Sequence, residues 1–455
     1  MSAPADDDQA LFSVSWGGGW DPIDYTTPLF HSDQGVPDGF NINHYSNESV
    51  DELLEEGVAT VDEAERVATY DTLQSRLLED VPVSVIRFGE EYHVWDTDDV
   101  SDWETYPLPA EAFRPIYDPA SDISTDVSTA ADELIVDLPS AILAFDPTRM
   151  EGTTSMRATA LLYEPLVQKD VDGQTRPALA ESWEYLDETT LRFTLRDGVP
   201  FHNGETLSPE NVIGTLERYS GTVRDLVVFD WYDTGTVLDD RTIELSLTRP
   251  YGPLEARLSS IPIVPQAVIN GEHDLADEPV GTGPFQFGEH RPDTLFRLER
   301  FADHWFEGSE AVPATAPIET LAFRIIVDSS ARQAALEAGD THLSTALPAE
   351  SLPEFESNER YGTDRATTGG FEFLVYPLYT EPFSSRKVRR GCDRLMPRAD
   401  IIETVYQNIG RGRVHADLAA TRAVLIDGQT TGPRRGARRD RLRPCHSVAT
   451  CSDES

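Results

Sequence analysis

The sequence predicts a mixed α/β protein, and two observations carry this prediction. Short apolar runs typical of strands recur along the chain, for example ELIVDL (133–138), LRFTL (191–195) and TIELSL (242–247). Stretches with the apolar spacing of an amphipathic helix lie between them. Because strands and helices alternate, we expect neither an all-β nor an all-α fold. The 455 residues allow two or three domains, each with its own core.

Helices come first in the opening part of the chain. Residues 50–80 carry apolar side chains at helical spacing, and Thr60 with Glu63 has the pattern of a capping box that would begin a second helix. Pro82 ends this helical region. The apolar run at 83–86 is then expected to be a buried strand.

The later part of the chain continues the alternation. Ser208 followed by Pro209 is a typical helix start, and SSARQAALEAG (329–339) is a further helical stretch. The remaining predicted strands are LFRLER (295–300), AFRIIVD (322–328) and GFEFLVY (370–376).

Shifts in composition divide the chain into four segments. Residues 119–132 are small, polar and without periodicity, so we expect a linker there between two independently patterned segments. From Arg411 onward the composition changes again, to nine arginines and no lysine. The predicted segments are 1–118, 119–132, 133–410 and the arginine-rich tail, 411–455.

The arginine-rich tail has two interpretations. It is either an arm that binds nucleic acid or an acidic partner, or the product of a frameshift in GC-rich DNA. The second interpretation is favoured, because the rest of the protein is strongly acidic.

The composition is acidic and almost free of lysine. There are 81 acidic and 37 basic residues, giving a net charge of -44, and Lys169 and Lys387 are the only lysines. This pattern is typical of halophilic proteins, whose surface carboxylates keep them hydrated. The chain is not expected to bind nucleic acid, since no basic groove is evident before the tail.

The sequence carries no pattern of a metal, cofactor or catalytic site. Cys392, Cys445 and Cys451 are too few for a disulfide framework and lack metal-ligand spacing. No Gly-x-Ser-x-Gly, His-Glu-x-x-His or Cys-His constellation is present. We therefore expect no cofactor and no enzymatic activity.

Two short glycine-containing motifs have structural interpretations. Gly281 and Gly283 in GTGPF lack the further glycine and the lysine of a phosphate loop, so a tight turn at a hinge or strand entry is expected. His202 and Asn203 in FHNG are expected to stabilise a turn after the LRFTL strand.

The beginning of the sequence has no export signal. Residues 1–12 (MSAPADDDQALF) lack a basic n-region, an apolar h-region and a lipid-attachment cysteine, and no apolar run approaches transmembrane length. The chain as written is therefore expected not to be exported.

Several phrases between residues 140 and 410 occur in a fixed order. Together they resemble the extracytoplasmic solute-binding proteins of ABC transporters, in the peptide and nickel class. The phrases are FDPTR (145–149), LLYEPLVQKDVDG (161–173), PALAESWEYLDETTLRFTLRDGVPFHNGETLSPENV (177–212), PVGTGPF (279–285), LERFADHW (298–305), ALEAGDTHL (335–343) and EPFSSRKVRRG (381–391).

The opening segment resembles the other end of the same family. WGGGWDP (16–22), NHYSNESVDELLEEG (43–57) and the stretch at 62–86 are similar to its C-terminal region. The order is thus inverted, and a stretch of the family's sequence that would join the two pieces is missing. Its loss is expected to leave one lobe incomplete, with uncovered apolar faces and unpaired sheet edges.

The resemblance implies a two-lobed periplasmic-binding-protein-like fold of type II, peptide class, with mixed sheets and a ligand cleft between the lobes. It also implies a monomer outside the cytoplasm that binds peptides or similar oligomeric solutes and delivers them to an ABC permease and ATPase. Two alternatives stay open at this point. One is a non-functional relic of a rearranged gene, and the other is a hydrolase that uses acids in the cleft.

The predicted ligand-binding residues lie in WGGGWDP: Trp16, Gly17, Gly18, Gly19, Trp20 and Asp21. By resemblance this stretch is the strand that meets the ligand, although its tryptophans suit a core equally well. Peptide-binding members of the family have an aspartate three residues after the first tryptophan, which pairs with the α-amino group of the ligand. This chain has a glycine there, so recognition of a free amino terminus is in doubt.

Overall fold

The secondary structure confirms a mixed α/β fold. The computed structural model of the protein describes residues 11–129 and 131–412. The helices within these ranges are α1 (Ile23–Phe30), α2 (Glu48–Ala59), α3 (Glu63–Asp80), α4 (Thr153–Thr159), α5 (Pro209–Glu217), α6 (Leu226–Phe229), α7 (Leu254–Leu258), α8 (Gln266–Ile269), α9 (Ser329–Ala338), α10 (Leu352–Glu356), α11 (Arg386–Leu395) and α12 (Arg398–Thr404). Short 3-10 helices cover Ser32–Gln34, Pro109–Glu111, Arg114–Ile116, Pro119–Ser121 and Ala349–Ser351.

The strands form two larger sheets and three two-stranded ribbons. They are β1 (Phe12–Trp16), β2 (Val83–Asp96), β3 (Val100–Ser101), β4 (Tyr117–Asp118), β5 (Ile123–Ser124), β6 (Asp126–Val127), β7 (Glu133–Leu138), β8 (Val167–Lys169), β9 (Thr175–Pro177), β10 (Ala180–Asp187), β11 (Thr190–Leu195), β12 (Tyr232–Val237), β13 (Thr242–Leu247), β14 (Phe285–Arg291), β15 (Leu295–Arg300), β16 (Thr320–Ile325), β17 (Leu343–Ser344) and β18 (Tyr361–Val375).

The largest sheet has the strand order β1-β18-β2-β17-β7-β16-β15-β14. It is mixed, because β7 runs parallel to β16 and β17 while the other neighbours are antiparallel. Strand β2 pairs with β18 from Asp96–Tyr361 to Val83–Val375, with shifts of register on the way. The opening segment and the later segment therefore share one sheet.

A smaller antiparallel sheet, β10-β11-β13-β12, forms a separate layer over its own core. Phe193, Tyr219 and Trp231 are fully buried in this core. Ile23 and Val58 of the opening segment belong to the same cluster, so the smaller sheet and its core are also packed against that segment.

Another core lies beneath β1 and β18, where α1, α2 and α3 pack on the sheet. At the periphery of this core, Leu11, Phe12 and Phe40 are 48%, 40% and 58% exposed. β1 has a partner only on its β18 side within the described sheet. That one lobe is incomplete stays a prediction.

Most predicted elements are confirmed, and the differences have local causes. β7, β13 and β15 have the predicted bounds. The N-cap of α3 is Asp62, whose side chain accepts from the Glu65 backbone, so the predicted cap at Thr60 is wrong. Thr60 instead lies at the C-cap of α2. Ser208 does begin α5, with Asn211 completing the capping box.

Residues 119–132 contain a 3-10 turn and the strands β5 and β6, which pair with β4 and β3. Their role as a linker between segments stays a prediction. The tail lies outside the described residues from 413 onward, together with Cys445 and Cys451. None of the described helices combines the length and apolar character needed to cross a bilayer.

The glycines of GTGPF are required by close packing. A Cβ atom on Gly281 would lie 2.3 Å from the Leu162 carbonyl oxygen, and one on Gly283 would lie 2.4 Å from that of Leu161. Neither glycine has a positive φ. His202 holds this loop, because its Nδ1 accepts from the Gly281 backbone and its Nε2 lies 3.0 Å from the Gly283 carbonyl oxygen.

Acid is expected to destabilise this loop through His202. Burial lowers the pKa of His202 from 6.5 to about 4. Unfolding therefore takes up a proton as the pH falls from 6.5 toward 4, and stability present above pH 6.5 is lost by up to about 1.4 kcal/mol per pH unit. Thermal unfolding of a His202→Asn variant across this range should have a shallower acid slope than the wild type.

The matched control is His44→Asn. His44 is exposed and has a φ of 56°, a conformation that asparagine also tolerates. The stability of the His44→Asn variant should fall with pH as that of the wild type does. If the stability of His202→Asn falls with the same slope, the proposed effect of His202 is contradicted.

Candidate functional site

The glycine-rich stretch at 16–20 folds over the first turn of α1. The Trp16 indole donates to the Asp24 carbonyl oxygen at 2.8 Å. The Gly19 backbone donates to Asp24 Oδ2 at 3.0 Å, and the Tyr25 hydroxyl donates to the Gly19 carbonyl oxygen at 3.0 Å. Main-chain and side-chain hydrogen bonds thus fix the stretch before any ligand is considered.

The three glycines differ in what surrounds them. A Cβ atom on Gly18 would lie 2.6 Å from Asp24 Cβ, and one on Gly19 would lie 2.8 Å from Asp24 Oδ2. A Cβ atom on Gly17 would meet no atom within 4 Å. Gly18 and Gly19 are therefore needed for packing on α1, whereas Gly17 has open space beside it.

Asp21, at the end of this stretch, is a buried carboxylate that connects the stretch to two helices. It is 4% exposed, and its two oxygens accept from Arg66 Nη1 and Nη2 at 2.8 and 2.6 Å. Asp21 Oδ1 also accepts from the Ile23 backbone, at the start of α1. The carboxylate is thus engaged by α3 and α1, so its part in ligand binding stays a prediction.

Residues 16–20 line a cavity of about 490 Å³, here called the first cavity. It lies where the opening segment meets the region around α4 and the loops beside α6 and α7. Its other lining residues include Leu108, Glu111, Arg114, Met150, Met156, Tyr163, Gln168, Arg224, Val227 and Arg257. The predicted residues from Trp16 to Trp20 are therefore brought together here, and Asp21 lines a neighbouring cavity instead.

The two carboxylates of the first cavity are each paired with an arginine. Asp24 Oδ1 lies 2.7 Å from Arg257 Nη1, and burial raises the pKa of Asp24 against the opposing effect of Arg257. Glu111 Oε2 accepts from Arg114 at 2.5 Å, while its other oxygen accepts from the Trp20 indole at 3.0 Å. These carboxylates are engaged in holding the cavity walls.

Arg224 differs from the other two arginines of the cavity. Its Nη1 donates to the Pro147 carbonyl oxygen at 2.7 Å, and its guanidinium lies 5.9 Å from the centre of the Tyr219 ring. Within the part of the chain that the structure describes, no carboxylate lies within ion-pair distance of it. Its remaining N–H groups can accordingly serve an anionic group in the cavity.

Sequence reasoning missed the charged residues of this site. Arg224 and Arg257 belong to none of the phrases that carried the resemblance, and Arg114 precedes the predicted linker. The sequence has 35 arginines, and nothing in it distinguishes the three that line the cavity, because only the fold brings them there. Among the described residues, no cluster of histidine, cysteine, aspartate and glutamate suits a metal ion.

Comparisons with known proteins agree with this architecture. The family described as "Bacterial extracellular solute-binding proteins, family 5 Middle" matches residues 174–415. The glutathione-binding protein GsiB of Salmonella typhi is 24% identical over 294 residues, covering 63% of this chain and 56% of that protein. GsiB of Escherichia coli O1:K1 / APEC is 22% identical with the same coverage. The chain spans about half the length of the curated relatives it matches.

A solved structure supports the fold. NikZ from Campylobacter jejuni, in complex with Ni(L-His), has a TM-score of 0.52 and 20% identity, covering 62% of this chain and 56% of that one. The expected periplasmic-binding-protein-like fold is thereby confirmed. The family match covers more than half of the residues of this chain. The chain therefore belongs to the bacterial extracellular solute-binding proteins of family 5.

Proposed function

We propose that this protein is the substrate-binding component of an ABC importer and that its first cavity takes a peptide-like solute through a carboxylate. The observation that carries the proposal is Arg224, a cavity arginine without a carboxylate partner among the described residues. Charge supports it, since the cavity is lined by three arginines and two carboxylates in a protein of net charge -44. An anionic group is therefore attracted to this cavity over the rest of the surface.

Among the described residues that line the first cavity, none offers an unpaired carboxylate as an anchor for the amino end of the solute. Position 19 is a glycine, and the carboxylate beneath it, Asp24, is already paired with Arg257 and the Gly19 backbone. Backbone groups and the aromatic rings of Trp16 and Trp20 remain for the solute's main chain. Recognition through the carboxylate end is accordingly favoured over recognition of a free α-amino group.

The relic alternative is not favoured. A relic would leave the two segments without mutual packing, yet β2 of the opening segment pairs with β18 along its length. Tyr25 and Leu29 share a core with Phe371 and Phe373. We propose that segment 1–118 completes, in permuted order, the sheet begun by 133–410.

Location and partners follow from the family. Solute-binding proteins of this family are extracytoplasmic transport components, so we propose a location outside the cytoplasm and delivery of the solute to a permease and its ATPase. A monomer without catalytic activity and without nucleic-acid binding fits this role. The acidic surface is proposed to be an adaptation to high salt.

Arg224→Met is expected to weaken binding of a carboxylate-bearing peptide by about 10- to 100-fold, the loss of one charge-assisted hydrogen-bonding group. The probe is glutathione, after which the GsiB relatives are named and which has two carboxylates. Calorimetric titration and ligand-induced thermal stabilisation in concentrated KCl provide the measurement. Without ligand, the unfolding temperature should fall only slightly, because the substitution breaks no ion pair but removes the hydrogen bond to the Pro147 carbonyl oxygen.

Arg249→Met is the matched control. Arg249 follows β13, pairs with Asp230 at the surface and lines neither the first cavity nor the neighbouring cavity that Asp21 lines. It should bind glutathione like the wild type. Equal affinities of Arg224→Met and wild type would refute the carboxylate site, and a chain with no cooperative unfolding transition would support the relic.

A further inference from the structure

The neighbouring cavity that Asp21 lines, here called the second cavity, has a volume of about 410 Å³ and is also lined by Trp20. Trp20 and Ala256 line both this cavity and the first one. The two cavities are therefore neighbours, and the Trp20 indole, fixed by its hydrogen bond to Glu111, stands between them.

Strand β8 forms another part of the wall between the cavities. Gln168 lines the first cavity and the adjacent Lys169 lines the second, as expected for successive side chains of a strand. The Lys169 carbonyl oxygen accepts from Arg114, a lining residue of the first cavity, at 2.9 Å. The two cavities are thus built on shared structural elements.

Lys169 is an unusual residue for this chain. It is one of only two lysines, in a protein that otherwise uses arginine for its cationic side chains. Its Nζ donates to Thr175 Oγ1 at 2.8 Å, and no carboxylate lies within ion-pair distance of it among the described residues. An ammonium group has three N–H donors, so two remain for another partner.

Glu255, which also lines the second cavity, is hydrogen-bonded by side chains other than Lys169. The Thr175 hydroxyl donates a hydrogen bond to Glu255 Oε2 at 2.6 Å, and the Trp183 indole donates to Glu255 Oε1 at 3.0 Å. Glu255 is therefore satisfied without Lys169. Burial lowers the pKa of Lys169, against the opposing effects of Glu255 and Asp21, so a hydrogen-bond partner for its remaining N–H groups would relieve a cost of desolvation.

We propose that the second cavity is a further ligand subsite, which holds the distal part of an extended solute through hydrogen bonds from Lys169 to solute carbonyl oxygens. The proposal rests on the proposed function, because it assumes that the carboxylate end of the solute lies beside Arg224 and that its main chain passes Trp20, whose side chain lines both cavities. Trp183 and Tyr185 supply apolar ring surface for the distal side chains. The solute class is then an extended peptide longer than two residues.

The test compares dialanine with pentaalanine, titrated calorimetrically into the full chain in concentrated KCl. The wild type should bind pentaalanine more tightly than dialanine. Lys169→Gln should weaken pentaalanine binding about tenfold or more and leave dialanine binding unchanged. Lys387→Gln is the matched control, since it removes the other lysine, which is exposed. It should bind both peptides like the wild type.

Tyr185→Ser provides a second variant that leaves the half-buried ammonium group of Lys169 in place. Tyr185 lines the cavity and is 38% exposed, so its replacement should be tolerated while pentaalanine binding alone is weakened. Equal effects of Lys169→Gln on both peptides, or none on either, would overturn the subsite while the first cavity remains supported. If the wild type binds neither peptide, both the proposed function and the subsite are contradicted.

Discussion

Arg66→Met is expected to lower the free energy of unfolding by about 3 to 5 kcal/mol. The guanidinium of Arg66 donates to both oxygens of Asp21 and, through Nε, to the Gly57 carbonyl oxygen at 2.7 Å. Asp21 is 4% exposed, so removal of the arginine leaves a buried carboxylate without its counter-ion. Urea unfolding in concentrated KCl, followed by tryptophan fluorescence, measures the loss.

Two further variants separate charge from packing. Arg66→Met combined with Asp21→Asn should recover much of the stability, because the uncompensated charge is then absent. Arg192→Met removes a solvent-exposed pair with Glu244 and should cost far less stability than Arg66→Met, because water and salt screen such a pair. If the double variant is as unstable as Arg66→Met, the loss comes from packing and not from the buried charge.

The Arg66–Asp21 pair also connects stability to the site. It holds the residue that follows Trp20, and Trp20 stands between the two cavities. A chain in which this pair is broken should therefore bind pentaalanine and dialanine with less difference between them.

The sequence predicted the bounds of several short apolar strands correctly. In β13 buried and half-buried side chains alternate throughout, whereas β7 alternates only as far as Val136 and is fully buried from there to Leu138. β2 was predicted to cover only 83–86 because charged residues follow. In the fold these charges are paired across the structure, for example Glu91 with Arg157 at 2.6 Å, so the strand continues to Asp96.

The candidate site was predicted in part. A stretch with three glycines and two tryptophans is conspicuous in a sequence, and the structure puts its residues 16–20 on a cavity wall. Arg224 was not predicted, because its importance depends on the absence of a carboxylate near it, which only the fold determines. Lys169 could have been noticed from the scarcity of lysine, but nothing in the sequence shows that it lines a cavity.

The second large effect is expected at the glycines of residues 17–19. Substitution of Gly17 should abolish ligand binding, whereas substitution of Gly18 should lower the stability of the fold. Gly17→Leu places a side chain in the open space beside the first cavity, so glutathione binding should be lost while unfolding is unchanged. Gly18→Val forces a branched side chain against Asp24 and Tyr25, whose nearest atoms would lie 2.6 and 3.0 Å from its Cβ atom. Such overpacking should cost about 1 to 3 kcal/mol or more.

Urea unfolding and calorimetric titration of both variants distinguish packing from ligand contact at each position. None of the three glycines has a positive φ, so the backbone itself tolerates either substitution. Gly17→Ala is the control for Gly17→Leu, because one methyl group meets no atom within 4 Å and should leave both folding and binding intact. Normal glutathione binding by Gly17→Leu would mean that the ligand does not lie against this strand, and the predicted contact at residues 16–20 would have to be abandoned.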